Sequence, residues 1–265
     1  MQHPDLAIVR TEEDASNIKV EQIRILQHSL SLAPYEAAYR VALLLNFQEA
    51  TANSQNAFLK TLEEAPEKVI LLLTADSAEN LLPTIISRCE VLRLRPLSLE
   101  LLDNALQERW HVPAERARLL AHISGGRPGY ALRLCQDESL LNQRRAWNDA
   151  IQELLAANKR ERLVFAEQQS KAKDRLVAKE KMQGMLLAWL SFWRDVLIIG
   201  TGADTPLVNI DYEPDLRRLG RQIDFQSAET LTSDIESALA NLDGNVNPQL
   251  LLEVLLLDWP HIRLN

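Results

Sequence analysis

Few side chains in this 265-residue sequence are spaced to do chemistry. Ser87-Arg88-Cys89 sets a hydroxyl, a guanidinium and a thiol in a row at the end of a short predicted helix. A guanidinium is a planar, permanently charged fork that pairs with phosphate or carboxylate oxygens. Taken alone, an arginine in that place is a solvated side chain. Cys89 and Cys135 lie far apart without partners at metal-ligand spacing, so they read as reduced, part-buried thiols. A phosphate cradle needs glycines whose N–H groups approach the anion, followed by Lys and Ser or Thr. No glycine precedes Gly125, so nothing upstream of it forms such a loop. Ser124-Gly-Gly-Arg-Pro-Gly129 reads as a helix cap and turn. Glu63 and Glu64 close a predicted helix and oppose its dipole by roughly a few tenths of a kcal/mol each, partly offset by Lys60. They read as a surface cluster, with a partner-facing role as the alternative. No metal and no cofactor are expected on this chain.

These residues need elements to hold them. Arg40-Val-Ala-Leu-Leu-Leu45 is a continuous apolar run, as in a strand covered on both faces. Asn53–Glu64 follows as a helix with Ala57, Phe58 and Leu62 on one face, capped by Asn53 or Thr51 and stopped by Pro66. Val69–Thr74 is a second such strand. Glu79–Ser87 is a short helix with Pro83 in its first turn, and Val91–Leu94 a further strand closed by Pro96. Ahead of these stand a strand at Leu6–Val9, a loop at 10–17 and a helix at Lys19–Leu32. Alternation of strands and helices predicts βαβ units on a parallel sheet. Beyond Pro96 the pattern turns helical: Leu99–Trp110 capped by Ser98, Ala114–Ile123, a third helix beginning with Tyr130–Leu134, then Leu141–Ala157, Glu161–Lys173, Asp174–Ile199, Arg217–Gln222, Gln226–Leu242 and Pro248–Leu257. Met185–Leu197 is rich in large apolar residues, buried all round or against a partner.

Asn56-Ala-Phe-Leu-Lys-Thr-Leu-Glu-Glu64, then Leu71-Leu-Leu-Thr74, then Leu82-Pro-Thr-Ile-Ile-Ser-Arg-Cys89 resembles the core of bacterial clamp-loader subunits of the AAA+ class. Gly125-Gly-Arg-Pro-Gly129 and the stretch from Gly244 to the apolar run at 250–257 resemble later parts of the same family. The resemblance implies an α/β plus all-α chain in three parts: an incomplete AAA+ parallel α/β domain at 1–96, a small three-helix lid at 97–137 and a helical collar at 138–265. In the family the strand leading into the P-loop lies beside the strand found here at Val69–Thr74. A sheet without it leaves a gap or an exposed apolar edge, and the sequence is expected to be an N-terminally truncated product or fragment. Where motor subunits place Asp and Glu for Mg²⁺ and water, this sequence has Leu45 and Asn46. An aliphatic side chain cannot hold Mg²⁺. Glu49, nearby, reads as a solvated loop residue. Thr74 falls at the family's sensor position and reads as a strand-end hydrogen bonder. Motor subunits carry an arginine where Gly129 falls, so no sensor role passes to Arg127.

The resemblance further implies that Arg88, supported by Ser87 and Cys89, reaches a neighbour's ATP in trans. The implied partners are gamma/tau-type and delta-type loader subunits, with the sliding clamp and primer-template DNA met through the assembly. A motor-type ATPase is the competing reading, and a helical adaptor without loader function a third. A net charge of −8 disfavours a dedicated DNA-binding module. With 46% hydrophobic residues and no signal-peptide pattern, two or three modest cytoplasmic domains without a transmembrane segment are expected.

Overall fold

The computed structural model describes residues 3–12, 15, 17–171, 175–242, 244 and 246–262, the side chains at 175–176 excepted. The chain divides into two compact units, Met1–Leu94 and Arg95–Asn265.

The first unit runs β1 (Leu6–Val9), α1 (Val20–Leu30), β2 (Arg40–Leu44), a 3₁₀ turn (Phe47–Glu49), α2 (Ala52–Glu63), β3 (Val69–Leu73), a second 3₁₀ turn (Ala78–Asn80) and α3 (Pro83–Ile86). The strands form a parallel sheet in the order β1-β2-β3. Registers align Ala7, Ala42 and Leu71 in one row and Val9, Leu44 and Leu73 in the next. These rows pack with Ile23, Leu26, Phe47, Phe58 and Ile85 in one core. The opposite face bears Leu6, Val41, Ile70, Ile8, Leu43 and Leu72 by the same registers. Ile8, Ile70 and Leu72 on it are exposed, whereas parallel sheets are ordinarily clad on both faces.

Two expected elements differ. Val91–Leu94 runs outside the sheet, with Val91, Leu92 and Leu94 exposed. Strand propensity reflects packing against neighbours, and among the described residues no ladder receives this segment. The helix expected over Glu79–Ser87 splits instead. Leu81 and Leu82 are both extended, and at Leu82 the ring of Pro83 drives the residue before it out of the helical region.

Asp5 fixes the turn that returns α1 to β2. Its buried carboxylate accepts N–H bonds from Tyr35 (2.7 Å), Glu36 (2.8 Å) and Ala37 (2.8 Å), while Arg40 bonds both Asp5 and the Ser29 carbonyl.

The second unit is helical. Helices α4 (Leu99–Trp110), α5 (Ala114–Ser124) and α6 (Pro128–Gln136) share a core of Leu102, Leu106, Leu120, Ala121 and Leu134. Ser98 caps α4 through the Leu101 N–H at 3.2 Å. Gly126 has φ +78°, and a Cβ there would lie 2.1 Å from the Leu97 carbonyl oxygen, so glycine is required twice over. There follow α7 (Glu138–Ala156), α8 (Lys159–Ser170), α9 (Arg175–Thr201), a 3₁₀ turn (Ile210–Tyr212), α10 (Glu213–Gln222), α11 (Phe225–Leu242) and α12 (Pro248–Leu257). Lys173 and Asp174, the expected end of one helix and start of the next, lie outside the described residues.

By length and composition Val177–Thr201 could cross a membrane. Here it is the axis of a core, against which α7, α8, α10 and α11 pack. Trp189, Phe192 and Trp193 are fully buried, and Trp259 meets Trp189 and Trp193 at ring separations of 5.0 and 5.8 Å. The apolar run is therefore largely an intrachain core, although Leu187 is exposed. Buried polar ties hold the unit's loops. Arg144 grips Asp211 with two bonds (2.7 and 2.8 Å) and Asn209 with a third (2.7 Å), while Asp195 on α9 accepts the Val208 and Asn209 N–H groups. Arg162 donates to the carbonyls of Leu154, Leu256, Trp259 and Pro260, joining α8 to the ends of α7 and α12.

Two outcomes follow for stability. Trp193→Ala leaves a large void and lowers unfolding free energy by about 3–5 kcal/mol in urea titrations. Hydrogen bonds from Ala37, Tyr35 and Glu36, with Arg40 adding to them, hold the Asp5 carboxyl well below its ordinary range. A depressed folded value contributes stability above the unfolded pKa of about 3.9, lost as pH falls toward the folded value. The stability gap between wild type and Asp5→Asn is therefore widest at neutral pH and narrows below about pH 4, as urea midpoints across pH will read.

Candidate functional site

The strand ends set the floor of the site. After β2 the chain enters Leu45 and Asn46, the latter left-handed at φ +50°. Its N–H donates to Thr74 Oγ1 at 2.9 Å, and the Phe47 N–H to the Thr74 carbonyl at 2.8 Å. Thr74 thus ties the ends of β2 and β3 together as a strand-end hydrogen bonder. Glu49, read from sequence as a solvated loop residue, accepts the Thr11 hydroxyl. Among the described residues no three His, Cys, Asp or Glu side chains gather in a way that could hold a metal ion.

From that floor α2 rises with Thr51, not Asn53, as its cap, accepting the Ser54 N–H at 3.1 Å. Phe58 anchors it in the core. Gln55 on its buried side donates to the Ala50 carbonyl (3.1 Å) and accepts the Leu82 N–H (3.0 Å). That side chain pins the start of α3, and fully buried Ile85 pins its middle. Backbone bonds from Ser87 to Pro83, Arg88 to Ile85 and Cys89 to Ile86 close the turn. A helix of four residues has little stability of its own, so these tertiary ties place the tip.

At the tip the three predicted residues separate by role. Arg88 is exposed, while Cys89 packs at the edge of the core, where burial raises its thiol pKa and keeps it protonated. The hydroxyl of Ser87 donates to the Thr84 carbonyl (3.2 Å) and lies 3.2 Å from Arg88 Nη1. Arg88 Nη1 also reaches the Thr84 carbonyl at 3.0 Å. Glu63, at the last turn of α2, binds the guanidinium through Nε (2.7 Å) and Nη2 (2.5 Å). Sequence reading missed Gln55 and the Glu63 pairing. Both join residues 25 or more positions apart, and no local spacing signals them.

Most of the chain also aligns with a known protein. DNA polymerase III subunit delta' of Bacillus subtilis is 30% identical over 255 residues, covering 96% of this chain and 75% of that protein. The chain belongs to the delta' subunit family of DNA polymerase III. This is a clamp-loader family of DNA replication. The family described as DNA polymerase III, delta subunit, matches residues 1–98, and its C-terminal counterpart matches 138–261. The delta' subunit of Pseudomonas aeruginosa is 35% identical over 158 residues, 58% of this chain and 47% of that protein. Among solved structures, a DNA polymerase III gamma subunit-related protein from Thermotoga maritima superposes with a TM-score of 0.54 at 18% identity, covering 97% of this chain and 83% of that one. That likeness shows a shared fold, which in this chain is mostly helical with a small parallel sheet.

Gln55→Leu strands the Leu82 N–H and the Ala50 carbonyl and is expected to lower stability by about 1–3 kcal/mol. Circular dichroism during urea unfolding measures it.

Proposed function

We propose that this delta'-family chain is a non-catalytic, structural subunit of the DNA polymerase III clamp loader that lends Arg88 to ATP held by a neighbouring subunit. The observation that carries the reading is an exposed guanidinium on a mount fixed by Gln55 and Ile85. In phosphoryl transfer the protein's chief work is to place and stabilise charge, and an arginine supplied from a neighbour does this with a permanent positive charge. Leu45 and Asn46, where motor subunits carry Asp and Glu, support a role without Mg²⁺ chemistry of its own, and with it disfavour the motor reading. The same reading assigns 1–96 to an AAA+-like domain, 97–137 to a lid and 138–265 to a collar that joins the ring. Its partners are gamma/tau-type and delta-type subunits, and through them the sliding clamp and primer-template DNA in the cytoplasm.

In a loader reconstituted with Arg88→Ala, clamp loading and DNA-stimulated ATPase at the neighbouring site fall at least about tenfold, toward the range that arginine fingers supply. Arg88→Lys does not restore them, because an ammonium lacks the bidentate fork. Unchanged ATPase and loading would remove the assignment.

A further inference from the structure

We propose that Glu63 is a positioning residue that parks Arg88 in the free subunit and releases it when a phosphate arrives; this rests on the trans-acting reading of Arg88 above. A guanidinium carries five N–H donors. Glu63 takes Nε–H and one Nη2–H, while Nη1 faces the Thr84 carbonyl and the Ser87 hydroxyl. One Nη2–H is left over. A bidentate grip on phosphate needs two parallel N–H groups along one edge of the fork. The edge formed by Nε and Nη2 is the one that Glu63 occupies. Carboxylate and phosphate therefore compete for the same donors, and the parked tip presents a neutral pair instead of a bare cation.

The exchange needs no unpacking. Side chains of Arg88 and Glu63 are 34% and 48% exposed, and their mounts, α2 and α3, stay joined through Gln55. Glu63 also has reason to stay near a cation. It lies at the C-terminal turn of α2, where the helix dipole disfavours a carboxylate, and Arg88 offsets that. A γ-phosphate in a neighbour's pocket carries more charge in a drier setting than an exposed carboxylate, so it wins the fork once the two subunits meet.

The test is Glu63→Ala in the reconstituted loader, read as ATPase rate against ATP concentration with DNA and clamp present. The expected result is a half-saturating ATP concentration lower by about two- to fivefold, the scale of one exposed ion pair, at unchanged maximal rate. The thermal midpoint of the free subunit stays within about a degree. In the free subunit, the Arg88 Nε–H exchanges with solvent faster than in wild type. In an Arg88→Ala background the Glu63→Ala effect disappears. An unchanged or raised half-saturation, with Arg88→Ala alone still abolishing stimulation, overturns the parking role and leaves the trans arginine standing. If Arg88→Ala alone changes nothing, the trans reading fails and the parking proposal falls with it.

Discussion

A polar group taken out of water costs free energy unless it finds a partner inside the protein, and several elements of this chain end on such a partner. The Asp5 carboxylate receives the backbone of the turn before β2. Gln55 joins a 3₁₀ turn, α2 and α3. Arg144 and Asp195 hold the segment around Asn209, and Arg162 gathers four carbonyls. Most of these ties reach the backbone of segments distant in sequence. They fix where a loop sits, while the apolar clusters supply most of the driving force.

Position is what the site requires. A four-residue helix cannot aim a side chain by itself, yet α3 is held at its start by a glutamine and in its middle by a fully buried isoleucine. The charged tip then lies outside the core, paired with Glu63 at the surface. A packed mount lies beneath, and the Arg88–Glu63 ion pair lies above it at the surface.

Much of the fold was legible because its signals are local. A continuous apolar run marked β2, and a serine marked the start of α4. The helices of the second unit differ from expectation mainly at their ends, where caps and packing decide. Val91–Leu94 was misread because a strand-like composition says nothing of whether a partner strand is beside it. Glu79–Ser87 was misread because the effect of Pro83 falls on the residue before it. At the site, Arg88 stood out only through its family resemblance, since an isolated arginine has no pattern. Glu63 was visible merely as an unfavourable charge at a helix end, and its partner 25 residues away supplies the missing reason.

The tryptophan cluster around α9 gives the molecule an optical asymmetry. All five indoles, at Trp110, Trp147, Trp189, Trp193 and Trp259, belong to the second unit, and the first has none. Intrinsic emission excited at the red edge of protein absorbance therefore watches the helical unit and is blind to the sheet and to the arginine mount. Any loosening confined to residues 1–94 passes silently in that channel, and a reporter indole would have to be planted there to make the smaller unit visible.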